Sequence, residues 1–512
     1  MKKLSWILII TLLASCLSAC GRKETVIYQG DTASTSDATD DPIRNLDYTV
    51  PGDKGTLTVQ AQVDTSLAEK NAPVASLSRA DFTDADIQTY ADLLFDEGSY
   101  SLFMPYEFRS IEDLSAACSA WEDTFKSYED FSTIPEYMIA EYYDATNVLA
   151  TKKQDTDAAN HVVETDGEIK WYSNPYNEAD EISYYAHQFC ILEGTIQGIH
   201  YYLCFFESRS YCRMELYRNY GTGDMDLLHF SQEAQPIYPS YAKSNGGNAC
   251  AYSSQEAQRI AEDYLQKLKL FDYTIQDTFD ATRTLSHYTM DDSLIVEEPQ
   301  TESVTDSYVI YASRNLNGLS SIYSYETFQT ELTDYSNADF TTDGKLLTFA
   351  PDETNTFYGY ETLTANVDND GLSYLIWNNP MQVDAIDTTV SPTLSFDQID
   401  TIARNYIDSR SVSSPYPDTQ TVTESASAES EFPTVTQIRY GMIRISDPEH
   451  STYLFTPAWY YIAEQQQKLY YHANIYVIIN AIDGSIYNPW LGTLEPTDNN
   501  QTNNNILTQL KK

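Results

Sequence analysis

Two stretches of this chain, 142 positions apart, are written on one plan, and that repetition narrows the folds open to it more than any other feature. Ser253-x-x-Glu256 is a capping box: the serine hydroxyl takes a free helix amide, and the glutamate reaches back to the serine N–H. Ala257, Ile260, Ala261, Tyr264, Leu265 and Leu268 then fall on one helical face. Ser395, Gln398, Ile399, Ile402, Ala403 and Tyr406 reproduce the cap, the polar third residue and the stripe. Downstream, Ala365-Asn366-Val367-Asp368-Asn369-Asp370-Gly371-Leu372 and Ile479-Asn480-Ala481-Ile482-Asp483-Gly484-Ser485-Ile486 both read strand, Asn, Asp-Gly turn, strand. Asp-Gly between apolar runs marks a hairpin, because glycine takes positive φ without steric cost. Gly371 and Gly484 are 113 apart rather than 142, so the first unit carries 29 extra residues (142 − 113), expected in the acidic stretch 291–306. The second unit has its own polar insert at 411–431. Each unit reads as one helix on a small antiparallel sheet, an α+β module. Thr83, Asp86, Ile87, Tyr90, Ala91 and Leu94 echo the capped helix a third time.

The remaining segments follow from periodicity. Residues 46–63 alternate polar and apolar and predict strand. Helices are expected near 83–95, 110–127 and 135–149, and a β-meander over 183–219 with strands at 184–192, 201–206 and 212–217. The expected organisation is an N-terminal helical-plus-meander α+β domain at 47–250, a first helix-on-sheet module at 251–391 and a second at 392–492. The polar end, 493–512, reads as a disordered tail.

The beginning of the chain points to export. Met1-Lys2-Lys3 precedes an apolar run over 4–13, and Leu17-Ser18-Ala19-Cys20 follows, the layout of a secretory signal. The run falls short of the ~20 residues a spanning helix needs. Leu-Ser-Ala-Cys resembles the bacterial lipobox, which implies cleavage after residue 19 and diacylation of Cys20; two acyl chains suffice for stable anchoring. Residues 20–46 then read as a flexible leash. The expected location is therefore the extracytoplasmic face of a membrane, with lipid on Cys20 as the contact.

Charge excludes one class of partner. There are 76 acidic residues against 30 basic, a net charge of −46, and removal of Lys2 and Lys3 with the signal makes it −48. Nucleic acids and anionic lipid headgroups are bound through Lys and Arg, so neither suits this surface. Disordered acidic chains are poor in aromatics, whereas this one holds 42 Tyr, 19 Phe and 6 Trp and must fold. Cys118, Cys190, Cys204, Cys212 and Cys250 remain after Cys16 and Cys20 are accounted for, an odd number without metal-site spacing.

Two stretches carry a family resemblance. The strand and helix start over 48–94, with Asp81-Phe82-Thr83, look like the opening of a clostridial and Firmicute lipoprotein family of unknown function. Tyr453-Leu454-Phe455-Thr456-Pro457-Ala458-Trp459-Tyr460-Tyr461 with Asn480-Ala481-Ile482-Asp483-Gly484 fits that family too. It is also similar to the last module of YycH/YycI-type extracytoplasmic regulators and PepSY-like domains, where a strand ending in Asn-Ala-x-Asp-Gly closes a small sheet. The resemblance implies a regulatory module and assigns only a structural turn, at Asn480, Asp483 and Gly484.

Chemistry is sparse. No H-E-x-x-H, G-x-S-x-G, P-loop or G-x-G-x-x-G is present, so no catalytic residue, cofactor or metal site is assigned. His161, His187, His200, His229, His287, His450 and His472 are scattered; His187 and His200 flank one expected hairpin. Asn366, Asp368, Asp370 and Gly371 match positions 1, 3, 5 and 6 of a calcium loop, but Trp377 stands where the closing glutamate belongs, and a turn is the reading adopted. Trp459, Tyr460 and Tyr461, or Tyr470 and Tyr471, offer sugar-stacking surfaces or core packing; packing is expected, with alternate residues facing outward. The sum is a non-enzymatic binding or regulatory lipoprotein acting on an envelope protein or wall polymer. The alternatives are a solute- or glycan-binding lipoprotein and a carboxylate-based hydrolase.

Overall fold

The computed structural model describes residues 42–52, 55–66, 68, 73–175, 186–208, 212–219, 248–291, 293–322, 339–340, 346–347, 361–387, 394–409, 434–447, 452–463, 475–488 and 493–495. The signal, the leash up to residue 41, the 411–431 insert, Tyr470, Tyr471 and residues 496–512 lie outside them, as does Cys20. The chain begins with β1 (Ile43–Gly52), β2 (Gly55–Asp64), β3 (Val74–Arg79), α1 (Asp84–Leu94) and β4 (Ser101–Leu102). Helices α2 (Ile111–Phe125), α3 (Glu136–Gln154) and α4 (Thr156–Asn160) follow, then β5 (Tyr172–Ser173), β6 (Gln188–Ile196), β7 (Ile199–Glu207) and β8 (Cys212–Arg218). Next come α5 (Ser254–Lys267), β9 (Tyr273–Met290), β10 (Val296–Leu316), β11 (Leu319–Ser320), β12 (Asp339–Phe340), β13 (Leu346–Leu347), β14 (Thr362–Asp368), β15 (Gly371–Asn378) and β16 (Met381–Asp387). The last elements are α6 (Phe396–Ser409), β17 (Thr434–Asp447), β18 (Thr452–Ala463), β19 (Ile475–Asn480), β20 (Ile486–Asn488) and β21 (Thr493–Glu495).

The architecture is mixed α and β, built on two large sheets. Sheet I runs β11-β10-β14-β15-β8-β7-β6-β4, with β9 on β10 and β5 on β6. Sheet II runs β1-β2-β17-β18-β19-β20-β21, and β3 bridges β18 to β16. Sequential antiparallel strands follow each capped helix: β9, β10, β14 and β15 after α5, and β17, β18, β19 and β20 after α6. Both capping boxes form, Ser253 with Glu256 and Ser395 with Gln398, and so does the one at Thr83 and Asp86. Ala257, Ala261 and Leu265 turn α5 onto sheet I, while Ile399 and Ala403 turn α6 onto sheet II.

Strand partners differ from the expected domain boundaries. β8 pairs with β15 through Leu216 and Leu375, so the 183–219 meander and the first helix-on-sheet segment are one continuous sheet across residue 250. β2 lies parallel to β17, and β3 pairs with β18, so strands from 43–79 complete sheet II at the other end of the chain. The physical reason is general. Periodicity says which residues face a core, but a strand edge also needs backbone partners, and period two does not say whose. The 46–63 strand is a hairpin, β1 and β2, in full register from Ile43–Asp64 inward.

Strand β7 is buried on both faces. Leu203 and Phe205 enter the large core under α1 and α5, whereas Tyr202, Cys204 and Phe206 enter a second core under α2 and α3. Each such side chain contributes about 1.5–3 kcal/mol by leaving water. The 291–306 stretch, where the first unit's extra residues are expected, is the tip and return strand of the long β9–β10 hairpin. That arm reaches α3, where the Tyr288 N–H donates to Glu136 Oε1 at 2.8 Å and the Tyr288 and Tyr143 rings lie 5.4 Å apart. At its other end the arm docks on sheet II by a bridge between Ser321 and Met442. Gly441 permits this, since a Cβ there would lie 2.5 Å from Ile322 Cγ1 and 2.7 Å from the Ser320 oxygen.

Candidate functional site

The turn residues read from the sequence meet at the end of β19. The Asn480 side chain is wholly buried; its Nδ2 donates to Thr456 Oγ1 at 3.1 Å and its Oδ1 accepts the Ile482 N–H at 2.8 Å. Asn366 does the equivalent in sheet I, donating to Ser307 Oγ at 3.0 Å. In each sheet the hydroxyl stands two residues before the asparagine's cross-strand partner, Val309 or Ala458. Gly484 has φ +76, and its N–H donates to the Asn480 oxygen at 2.9 Å, so this turn is wider than the expected two-residue hairpin. In sheet I, Asn369 and Asp370 form the corner and Gly371, at φ +103, already pairs with Asp368. A Cβ on Gly484 would lie 2.5 Å from Ile402 Cδ1, so this glycine also lets α6 approach. Asp483 accepts from the Ser485 N–H and hydroxyl, and burial raises its pKa.

The calcium-like spacing is occupied by a guanidinium. Arg218 Nη1 lies 3.0 Å from Asp368 Oδ1 and 3.8 Å from Asp370 Oδ2, and Nη2 donates to the Leu372 oxygen at 2.7 Å. Asn366 points its amide at β10 instead of into this loop. The residues present therefore do not fit a calcium ion. Among the described residues no cluster of His, Cys, Asp and Glu has the form of a metal site.

Other sequence candidates are dispersed. His187 precedes β6, and its N–H donates to the Glu207 oxygen; His200 pairs with Thr195 at the opposite end of the β6–β7 hairpin, so the two do not meet. His161 follows α4 and His287 lies on β9, while His229, His450 and His472 are outside the described residues. Cys118, Cys190, Cys204, Cys212 and Cys250 are free thiols. Cys190 and Cys204 sit on neighbouring strands but face different cores, and burial pushes the Cys190 and Cys212 thiols up to about 12, where they are inert. Trp459, Tyr460 and Tyr461 are all buried, at 1%, 0% and 0% exposure, so none of them faces outward to stack a sugar. Both faces of β18 are covered, which overrides the alternation expected of a one-sided sheet.

The most unusual chemistry lies where no motif announces it. Glu141, on the inner face of α3, is 3% exposed. Its Oε2 accepts from the Tyr106 hydroxyl at 2.8 Å, and its Oε1 accepts from the Tyr202 hydroxyl and from Asn219 Nδ2 at 3.3 Å. All of these donors are neutral, and burial pushes the carboxyl up to about 7 against the ordinary 4.5. Asp400 on α6 shows the contrast. It too takes two tyrosine hydroxyls, from Tyr48 at 2.7 Å and Tyr461 at 3.1 Å, but Arg404 adds a guanidinium at 2.8 Å.

No family model matches the chain, and no curated protein does. Among solved structures, the crystal structure of an uncharacterized protein from Eubacterium rectale is similar over 86% of this chain and 93% of its own, at 12% identity and a TM-score of 0.34. That likeness is too loose to assign a fold family.

Sequence reasoning passed over Glu141 because one glutamate among so many acids is invisible. The signal available was local: Glu141 interrupts the apolar run Met138-Ile139-Ala140 and Tyr142 at a position that a helix face of that register buries.

Proposed function

We propose that this chain is an extracytoplasmic lipoprotein, held to a membrane by lipid on Cys20, that acts there as a non-enzymatic binding or regulatory protein. Its partner in this reading is an envelope protein or a wall polymer. The observation that carries the proposal is the ordered series Lys2-Lys3, an apolar run, and Leu17-Ser18-Ala19-Cys20. We further propose that α5 with β9–β15 and α6 with β17–β20 are two copies of one regulatory-type module. Supporting this are their equivalent caps, strand orders and buried asparagines.

The non-enzymatic part is supported by how the charged groups are used. Arg218, Arg314 and Arg404 each brace a buried or half-buried carboxylate of the scaffold, at Asp368, Glu361 and Asp400. The net charge of −46 favours a protein or neutral polymer over nucleic acid. Cys20→Ala is expected to release the protein from the membrane fraction or leave it as precursor. Unchanged retention with normal trimming, seen by fractionation and mass spectrometry, would refute the tether. Crosslinking on live cells then identifies the partner, and capture of only small solutes would overturn the regulatory reading.

A further inference from the structure

We propose that Glu141 is a proton-operated latch that holds the helical layer α2–α3 closed on sheet I. This goes beyond the anchorage and partner reading and stands without it. The geometry is that of a carboxyl shut inside a core with hydroxyls and an amide for company. Tyr106 comes from the turn before α2, Tyr202 from β7 and Asn219 from the end of β8, so the carboxyl ties three separate pieces of chain to α3.

The charged groups around it make ionisation unwelcome. Asp144 on α3 raises the proton affinity of Glu141, and Glu193 on β6 adds negative charge near Tyr202. Tyr137 lies on the same helix, within electrostatic reach of the carboxylate. Arg109 is the nearby cation, but its guanidinium lies 4.6 Å over the Tyr106 ring and its Nε donates to the Met104 oxygen at 2.6 Å. Glu136 on α3 is engaged with the β9–β10 arm, and Glu122 on α2 faces Tyr142 instead. Burial dominates this balance and moves the carboxyl up to about 7.

With the proton on, the layer is closed. With the proton off, a buried charge that has no counter-ion among the described residues remains, and lifting α3 to let water in relieves it. The sheet face below, with Phe189, Ile191, Cys204 and Phe206, then meets water. The sign is therefore closed in mild acid and loosened above neutrality.

Hydrogen exchange on the full chain at pH 6 and pH 8, corrected for intrinsic exchange rates, tests this. Amides of α3 should lose protection by about tenfold in total between these two pH values, the loss levelling off above about pH 7, while α5 and α6 do not change. Glu141→Gln keeps the shape without the charge and should abolish the dependence. Equal protection at both pH values, a dependence that survives Glu141→Gln, or an equal loss in α5 and α6 would overturn the latch. Tyr202→Phe gives an independent check should the glutamine variant not fold. Losing a donor to the carboxylate raises its proton affinity further, so the loss of protection should level off at a higher pH, and an unmoved or lowered levelling point overturns the proposal.

Discussion

Arg218, Arg314 and Arg404 show one way this acidic chain keeps carboxylates inside, with a guanidinium beside each of Asp368, Glu361 and Asp400, whereas Glu141 has only neutral donors. Arg218 is the strictest case, since it and Asp368 are both almost fully buried, at 5% and 3% side-chain exposure. Arg218→Met leaves Asp368 without its cation, which should cost about 3–5 kcal/mol in a urea melt. Asp368→Asn together with Arg218→Met should recover much of that loss, because the unpaired charge is what destabilises. With the guanidinium in place, calcium should find no saturable site tighter than roughly millimolar by calorimetry. A micromolar site abolished by Asp368→Ala would overturn that assignment. Gly484 is under two constraints at once, its φ of +76 and the closeness of Ile402. Gly484→Val should cost at least about 1–3 kcal/mol from backbone strain alone. Gly167, also at positive φ but with open space around its missing Cβ, isolates that backbone component. If both valine variants lose the same stability, the contact with α6 contributes nothing.

At the level of elements, the helices were the most legible part. Three capping boxes and their apolar stripes could be read from residue types alone, because a cap satisfies amides within its own turn. What was not legible was the β9–β10 arm, where the acidic Ser/Thr-rich stretch expected only to hold the first unit's extra residues is held in strand by its pairing across the hairpin. The helical layer it touches carries a pH prediction. The Glu141 carboxyl is raised from 4.5 to about 7, so between those values the native state binds more protons than the unfolded chain. Stability from this group is complete below pH 4.5 and is lost as pH rises through about 7. At about 1.4 kcal/mol per pH unit the interval is worth about 3 kcal/mol. Glu141→Gln should therefore be more stable than the parent at pH 8, by about 1–3 kcal/mol, and no more stable than it at pH 5. A glutamine variant that is less stable at both pH values in paired urea melts would show that the carboxyl is matched to its site even when ionised.

Taken whole, the molecule is closed by its own beginning. The sequence repeat suggests that residues 392–492 form a unit, and α6 with β17–β20 has the strand order that view requires. Yet β17 has β2 as its parallel neighbour, β18 shares an edge with β3, and Tyr48 on β1 donates to Asp400 on α6. No pattern within 392–492 could announce these partners, because they lie more than 300 residues away and are chosen by geometry across the assembled sheet. Deleting residues 42–80 tests which description governs folding. The deletion removes Leu57, Val59, Val63, Ala75 and Leu77, all at or below 2% exposure. At about 1.5–3 kcal/mol for each of the four Leu and Val side chains they amount to roughly the stability of an entire domain, about 5–15 kcal/mol. It also leaves β17 and part of β18 with open edges. The truncated chain should lose hydrogen-exchange protection throughout β17–β20 and α6, while α5 and the sheet I strands beneath it keep theirs. A synthetic 42–80 peptide supplied in excess should restore part of the lost protection, since its docking surface is the core it normally completes. Full protection of α6 in the truncated chain would mean that the C-terminal strands hold together as a self-sufficient module, with the N-terminal strands added as cladding.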